Sequence, residues 1–340
     1  MSKPTPEVAR HLHTVLELHL ANRQIAFLEA ENVAFKVKLP PAEEPRDELP
    51  EQAPCLTDFL SVVARGRVRN WGPWTNRWGY RRRMARSCVF CGCTPVTNEH
   101  VYPRWLAQAF PEIPPTERAI MISYTDQDRS RRHSGRMFTA QVKAVCEPCN
   151  SGWMSALEGR VQPYLLPMIK GEITELPPNA QEVLATWTLK TALMCQIMQP
   201  QELPNLPADL FRDLYQDRSP AAEMKVFCGY MMPPQYLNGP SPVEHRSIPS
   251  RRRDRTEDGR EYELWATVVT IRIGYAVLQL MSAGPKGLRY EVGLGDFSPY
   301  VEPLWPVRET FSWPPRALKS VSEFNVFADP LSRVKRPVPE

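Results

Sequence analysis

Two Cys-x-x-Cys knuckles, Cys88/Cys91 and Cys146/Cys149, constrain this chain more than any other feature. Each bends tightly enough to turn two sulfurs toward one ion. Together they can set four thiolates around a structural Zn²⁺ at about 2.3 Å in a tetrahedron. The segment between them then becomes a loop closed by the metal. Cys93 could compete with Cys91 for one ligand position, and the two-residue spacing favours Cys91. Cys55, Cys195 and Cys228 stand in apolar contexts and are expected as small core residues. A disulfide framework is the weaker reading of eight cysteines here. The N-terminal stretch has no apolar signal-peptide core, because Glu17, His19, Asn22 and Arg23 interrupt it. A cytoplasmic chain keeps its thiols reduced. No apolar run reaches about 18 residues, so no membrane span is expected.

The remainder reads as an α+β protein. Residues 6–38 have helix-forming composition with no internal glycine or proline. A heptad frame places His11, Leu18, Ile25 and Asn32 at one seam position and Thr14, Ala21, Leu28 and Phe35 at the other. Such a helix can pair as a homodimeric coiled coil or dock on its own domain, and both readings stay open. Residues 39–54 form an acidic, proline-rich linker. Net charge is only +4, but its distribution is uneven. Arg65, Arg67, Arg69, Arg77, Arg81, Arg82, Arg83 and Arg86 follow one another with no acid among them, interleaved with Trp71, Trp74, Trp78 and Tyr80. Arginines neutralise phosphates, and planar rings stack on bases or pack beneath guanidinium groups, so this approach suits DNA. A second basic cluster, Arg129, Arg131, Arg132, His133 and Arg136, stands among turn-forming residues and is expected as a loop, either solvated or touching phosphate.

Beyond Gly171 the signals are structural. Helices are expected over 181–198 and 208–215, and strands over 224–231, 262–275 and 276–281. Pro240, Pro242 and Pro249 mark a loop, the mixed-sign run 251–258 reads as a solvated turn, and the last ten residues as disordered. The expected domains are 1–38, a linker at 39–54, the basic segment with the cysteine module at 55–170, and a C-terminal α+β domain at 171–330.

Between the knuckles lies the acid–histidine pair Glu99-His100. Phosphodiester hydrolysis needs a base to activate water and a cation to stabilise charge on the phosphate. A neutral imidazole suits the first task, and a carboxylate with an amide oxygen suits Mg²⁺. Neighbours on a strand point to opposite faces, so serving one site requires a twist or turn. The pattern Cys-x-x-Cys, then Glu99-His100-Val101-Tyr102-Pro103-Arg104-Trp105, then Val145-Cys146-Glu147-Pro148-Cys149-Asn150-Ser151-Gly152-Trp153-Met154, resembles the zinc-bearing branch of the HNH endonucleases. The resemblance covers residues 88–167 and implies a ββα-metal module, a two-stranded hairpin followed by a helix. It places Glu99 as acidic ligand of a catalytic Mg²⁺ or Mn²⁺, His100 as general base and Asn150 at the terminal ligand position. Gln141 stands where the motif's middle asparagine is usual. The second strand is expected over 138–145, and the helix over 151–162, ended by Pro163. A DNA endonuclease is thus the leading expectation. A zinc-stabilised nucleic-acid-binding protein without cleavage and an interaction or assembly protein are the alternatives.

Overall fold

The computed structural model describes residues 87–111, 118–124, 130–136, 138–198, 206–232, 243–255, 261–284, 290–292, 294–319, 321–328 and 334–337. The expected N-terminal helix, the linker and the basic approach with Arg77, Arg81, Arg82, Arg83 and Arg86 lie outside them. Apart from the far ends of two long strands, all the described residues belong to one compact unit of residues 43–253 and 263–338.

The chain mixes strands and helices, with runs of strands at both ends of a helical middle. It runs β1 (Val96–His100), β2 (Arg118–Tyr124), β3 (Ser130–Arg136), β4 (Gln141–Cys146), α1 (Ser155–Lys170), β5 (Thr174–Leu176), α2 (Pro178–Met198), α3 (Leu210–Asp217) and β6 (Lys225–Met231). It continues β7 (Val243–Arg255), β8 (Glu261–Ile273), β9 (Ala276–Gly284), β10 (Tyr290–Val292), β11 (Val301–Trp305), β12 (Phe311–Trp313), β13 (Ala317–Leu318), α4 (Val321–Ala328) and β14 (Val334–Pro337). β1 and β4 pair antiparallel as a two-stranded ribbon, and β5 pairs with β12. The large sheet has the order β11-β6-β9-β8-β7-β2-β3, with β13 also on β6.

Alternation along the central strands explains why this sheet is covered on both faces. Val226, Cys228, Val269, Ile271, Leu278 and Leu280 belong to a core shared with α1, α2 and α3. Phe227, Met231, Val268, Val277 and Met281 turn the other way and pack with Phe324 and Phe327 of α4. The β8–β9 turn meets the end of α1. Gly274 there has φ +55°, and a Cβ would lie 2.4 Å from the Ile169 carbonyl oxygen, so only glycine fits. The next residue, Tyr275, donates its backbone N–H to that same oxygen at 3.1 Å.

α2 is the central element. Unlike an amphipathic surface helix it is buried around its whole circumference from Val183 to Cys195. It packs against α1, α3, β4, β6, β9 and β11, and so joins the small ribbon to the large sheet. Among the described residues no helix is long and apolar enough to cross a membrane.

Several expectations are corrected. The second basic cluster is not a loop: Arg131 and Arg132 lie on β3, where they oppose Ser123 and Ile122 of β2. The ladder with β2 supplies the order that a polar composition does not signal, and an edge strand rich in charge deters pairing with other chains. The run 251–255, expected as a turn, continues β7, whose earlier residues pair in parallel with β2. Pro249 therefore lies within a strand. Pro163 does not end the helix either. Both Pro163 and Pro167 lie inside α1, on positions turned outward, while Leu165, Met168 and Ile169 continue the buried face. Burial of that face outweighs the roughly 3 kcal/mol an internal proline costs. Lastly, residues 334–337, expected as disordered, pair with β10; short strands take their order from a partner, which local composition does not encode.

One buried group makes the fold acid-sensitive. His245 on β7 is buried, neither ring nitrogen has a hydrogen-bond partner, and desolvation pushes its pKa from 6.5 down to about 4. The unfolded chain therefore binds a proton that the folded chain refuses. The stabilisation is complete above about pH 6.5 and is lost as pH falls toward 4, by about 3 kcal/mol in all. Urea unfolding at pH 7 and pH 4.5 should show a smaller acid loss in His245→Leu than in the wild type, by about 2 kcal/mol. Equal acid losses in the two proteins would refute the assignment.

Candidate active site and metal centre

The four knuckle cysteines converge. Their sulfurs all lie within 4.8 Å of one another, with Cys91 Sγ and Cys146 Sγ 3.4 Å apart. A tetrahedron with 2.3 Å bonds has edges of about 3.8 Å, so the cluster is of the size a zinc ion takes. Local backbone geometry builds it. Cys88 N–H donates to the Cys93 carbonyl at 2.8 Å, and Gly92 N–H donates to the Cys88 carbonyl at 2.9 Å. Gly92 has φ +77°, the left-handed turn that folds the first knuckle back on itself. Val89 N–H donates to Ala144 O at 3.0 Å, which docks this turn on β4 beside the second knuckle. Cys93 remains half-exposed, outside the four.

The electrostatics of the thiols are uneven. A hydrogen bond from Cys149 holds the Cys88 thiol well below its ordinary pKa, at about 4. The same contact pushes Cys149 up, and burial raises Cys146 to about 12. One thiolate is thus stabilised by partners that must stay protonated. A divalent ion removes that conflict by taking all four as thiolates. The four-cysteine cluster can therefore hold a metal ion such as zinc.

β1 leads from this cluster to the acid–histidine pair. Its register with β4 sets Glu99 opposite Val142 and His100 opposite Gln141. A register shift falls between Thr97 and Asn98, before the pair, so Glu99 and His100 keep opposite faces. His100 is half-exposed, and its Nε2 lies 2.8 Å from Gln141 Nε2. Burial lowers the His100 pKa, and the neighbouring Arg104 adds to the effect, so the ring is neutral at pH 7. Half a turn of the glutamine amide exchanges its NH₂ for its oxygen, so the contact serves either ring tautomer. Asn150, just after the last cysteine, donates from Nδ2 to Thr97 Oγ1 and to Asn98 O, each at 3.3 Å. Both bonds use the amide nitrogen, which leaves Oδ1 as the open acceptor.

Glu99 turns the other way. It is 5% exposed, and its Oε1 receives a hydrogen bond at 3.3 Å from Lys190 Nζ, which is wholly buried on α2. Lys190 also donates to Glu158 Oε1 on α1 at 2.8 Å. Burial raises the Glu99 pKa against the opposing pull of Lys190. Lys190 thus links two carboxyl groups, and Glu158 influences both Glu99 and His100. The structure thus brings together the four cysteines, His100 with Gln141, and Asn150 with β1. Among the described residues no hydrogen bond joins Glu99 to Asn150. Sequence reasoning missed Lys190 and Glu158. Lys190 lies within an apolar helix, and a charged residue in so apolar a setting is a usable sign of a buried partner.

A scan of protein-family models finds no match to this chain, and searches of curated proteins and of solved structures find none either.

Two outcomes follow from this geometry. Cys146→Ser should lose the bound zinc and lower the thermal midpoint of the metal-loaded protein; zinc content unchanged by inductively coupled plasma analysis would remove Cys146 from the ligand set. Lys190→Met strands a buried carboxylate and should cost about 3–5 kcal/mol in urea unfolding. Adding Glu99→Gln should recover part of that loss, whereas strictly additive effects would show that the pair is not coupled.

Proposed function

We propose that this protein is a metal-dependent endonuclease that hydrolyses phosphodiester bonds in DNA. The observation that carries the reading is the His100–Gln141 contact on a strand pair tied to the four-cysteine cluster. It holds a neutral, half-exposed imidazole within electrostatic reach of Glu158 and Lys190. A zinc-stapled ribbon followed by α1 is the arrangement a ββα-metal module requires, with structural Zn²⁺ in the cysteines. With the Gln141 oxygen accepting from Nε2–H, the lone pair on Nδ1 is left to take a proton from water.

A hard divalent ion, Mg²⁺ or Mn²⁺, would be held by Asn150 Oδ1 and by the oxygens of the Glu99 carboxylate, the latter once it leaves Lys190. Bound there, it would supply electrostatic stabilisation of the phosphate and leaving oxygen. Arg131 and Arg132 on the edge strand, with Arg77, Arg81, Arg82, Arg83 and Arg86 from the segment before the first knuckle, would contact phosphates. Arg104, exposed next to His100, is a further candidate for the same role.

A second reading, a DNA-binding protein that does not cleave, draws support from the engagement of Glu99 by Lys190, since an ion-paired carboxylate must be released before it can bind metal. Supercoiled plasmid incubated with the full chain and Mg²⁺ or Mn²⁺ separates the two. Cleavage is expected to vanish in EDTA and to fall about 10²–10⁴-fold in His100→Ala. Nicking that persists in His100→Ala would remove the base, and binding without cleavage under all metal conditions would establish the second reading.

A further inference from the structure

Arg218 stands beside the four cysteines, and no part of the motif accounts for it. It follows α3 directly and adopts φ +58°, the one non-glycine residue at positive φ among the described residues. Its backbone N–H donates to Leu214 O at 3.1 Å and closes the helix. Glycine is the usual occupant of such a position, because a Cβ is strained there. An arginine at that place implies that its side chain is needed.

The side chain is held on two sides. Its guanidinium carbon lies 4.5 Å from the centre of the Trp153 ring and 4.4 Å from that of Tyr215. Trp153 belongs to the segment directly after the second knuckle, and its ring also meets Phe90 of the first knuckle edge-on at 5.2 Å. Thr186 on α2 donates from Oγ1 to the Arg218 carbonyl at 3.4 Å and fixes the backbone. Despite this clamp, Nη1 of Arg218 is buried with no hydrogen-bond partner, and so is Nε1 of Trp153. The guanidinium also meets the Tyr215 hydroxyl, and the other groups that these two donors influence are sulfurs. Arg218 interacts electrostatically with Cys149 and Cys91, and the Trp153 N–H favours the thiolate of Cys149.

Orphaned donors beside a cluster of four cysteines fit a centre that carries negative charge when loaded. Zn²⁺ with four thiolates has a net charge of about −2, and a nearby fixed cation offsets it. We propose that Arg218, clamped between Trp153 and Tyr215, is the positively charged outer partner of this zinc centre and strengthens its hold on the metal. Arg218 is a positioning and charge-balancing residue, not a ligand. The inference rests on the cysteines holding zinc and is independent of nuclease activity.

The test uses the full chain loaded with Zn²⁺ and, in parallel, with Co²⁺, whose sulfur-to-metal charge-transfer band reports on the electrons of the thiolates. Wild-type protein that binds no zinc would reject the cysteine site itself, separately from the role of Arg218. Given a loaded wild type, Arg218→Met should lose about ten- to a hundredfold in zinc affinity against a competing chelator. Its cobalt band should move to longer wavelength, because sulfur electrons rise in energy when the neighbouring cation is removed. Arg218→Lys keeps the charge without the planar stack, so its band should stay near the wild-type position with affinity partly restored. Unchanged affinity and band in Arg218→Met would overturn the proposal. A Lys variant whose band matches that of the Met variant would overturn it too, since charge would then be irrelevant. Should Arg218→Met not fold, Tyr215→Leu removes one side of the clamp and leaves the charge. Zinc release several-fold faster is expected, and an unchanged release rate counts against the proposal.

Discussion

The convergence of four thiols is the constraint on which the ribbon depends. It ties a turn before β1 to a turn after β4, and it fixes which residues face one another across the pair. His100 meets Gln141 because the knuckles at the other end of the ribbon are pinned. The sequence separation across this closure is 55 residues between Cys91 and Cys146. Loop-closure entropy rises slowly with length, by about 0.6 kcal/mol per doubling. A loop that a metal on these cysteines would close could therefore carry a whole hairpin at little extra cost, and β2–β3 is the hairpin within it. It leaves the ribbon and completes the edge of the large sheet.

The second organising element is α2. A helix buried on every side has no solvent face on which to place a charge, so Lys190 can exist there only with partners. Glu99 and Glu158 are those partners, and one comes from the ribbon and the other from α1. Tyr102, just past β1, approaches Cys195 of the same helix at 3.6 Å. The apolar core is likewise continuous from Cys88 to Trp313. The cysteine ribbon and the rest of the chain thus share one interior, and the electrostatics of the candidate site are set in part from α2 and α1.

What could be read from the sequence was whatever is encoded locally. Knuckle spacing marked the four cysteines that converge, apolar periodicity marked α2 and the strands β6, β8 and β9, and alternation around Val142 and Ala144 marked β4. Features set by distant partners could not be read in the same way. The hairpin β2–β3 is polar and takes its order from pairing, so its turn-forming residues pointed to a loop. α1 passes through Pro163 and Pro167 because packing of Leu165 and Met168 overrides the local rule. For the site, His100 and Gln141 were singled out by the motif pattern, and the register of β1 with β4 sets them opposite one another. The attachment of Glu99 to Lys190 did not, since 91 positions separate them. Arg218 was invisible because its signal is a backbone angle and a pair of rings contributed by two segments.

The Glu99–Lys190 separation also has a consequence in time. A ribosome adds about 5–20 residues per second, so Lys190 emerges roughly 5–20 s after Glu99. Both knuckles are complete before then. During synthesis the strand pair can therefore close around its metal while the carboxylate of Glu99 is still ionised in water, with no ammonium to meet it. Only the arrival of α2 draws that charge into the interior. A ribbon closed in this way would leave Glu99 facing solvent until α2 arrives to bury it.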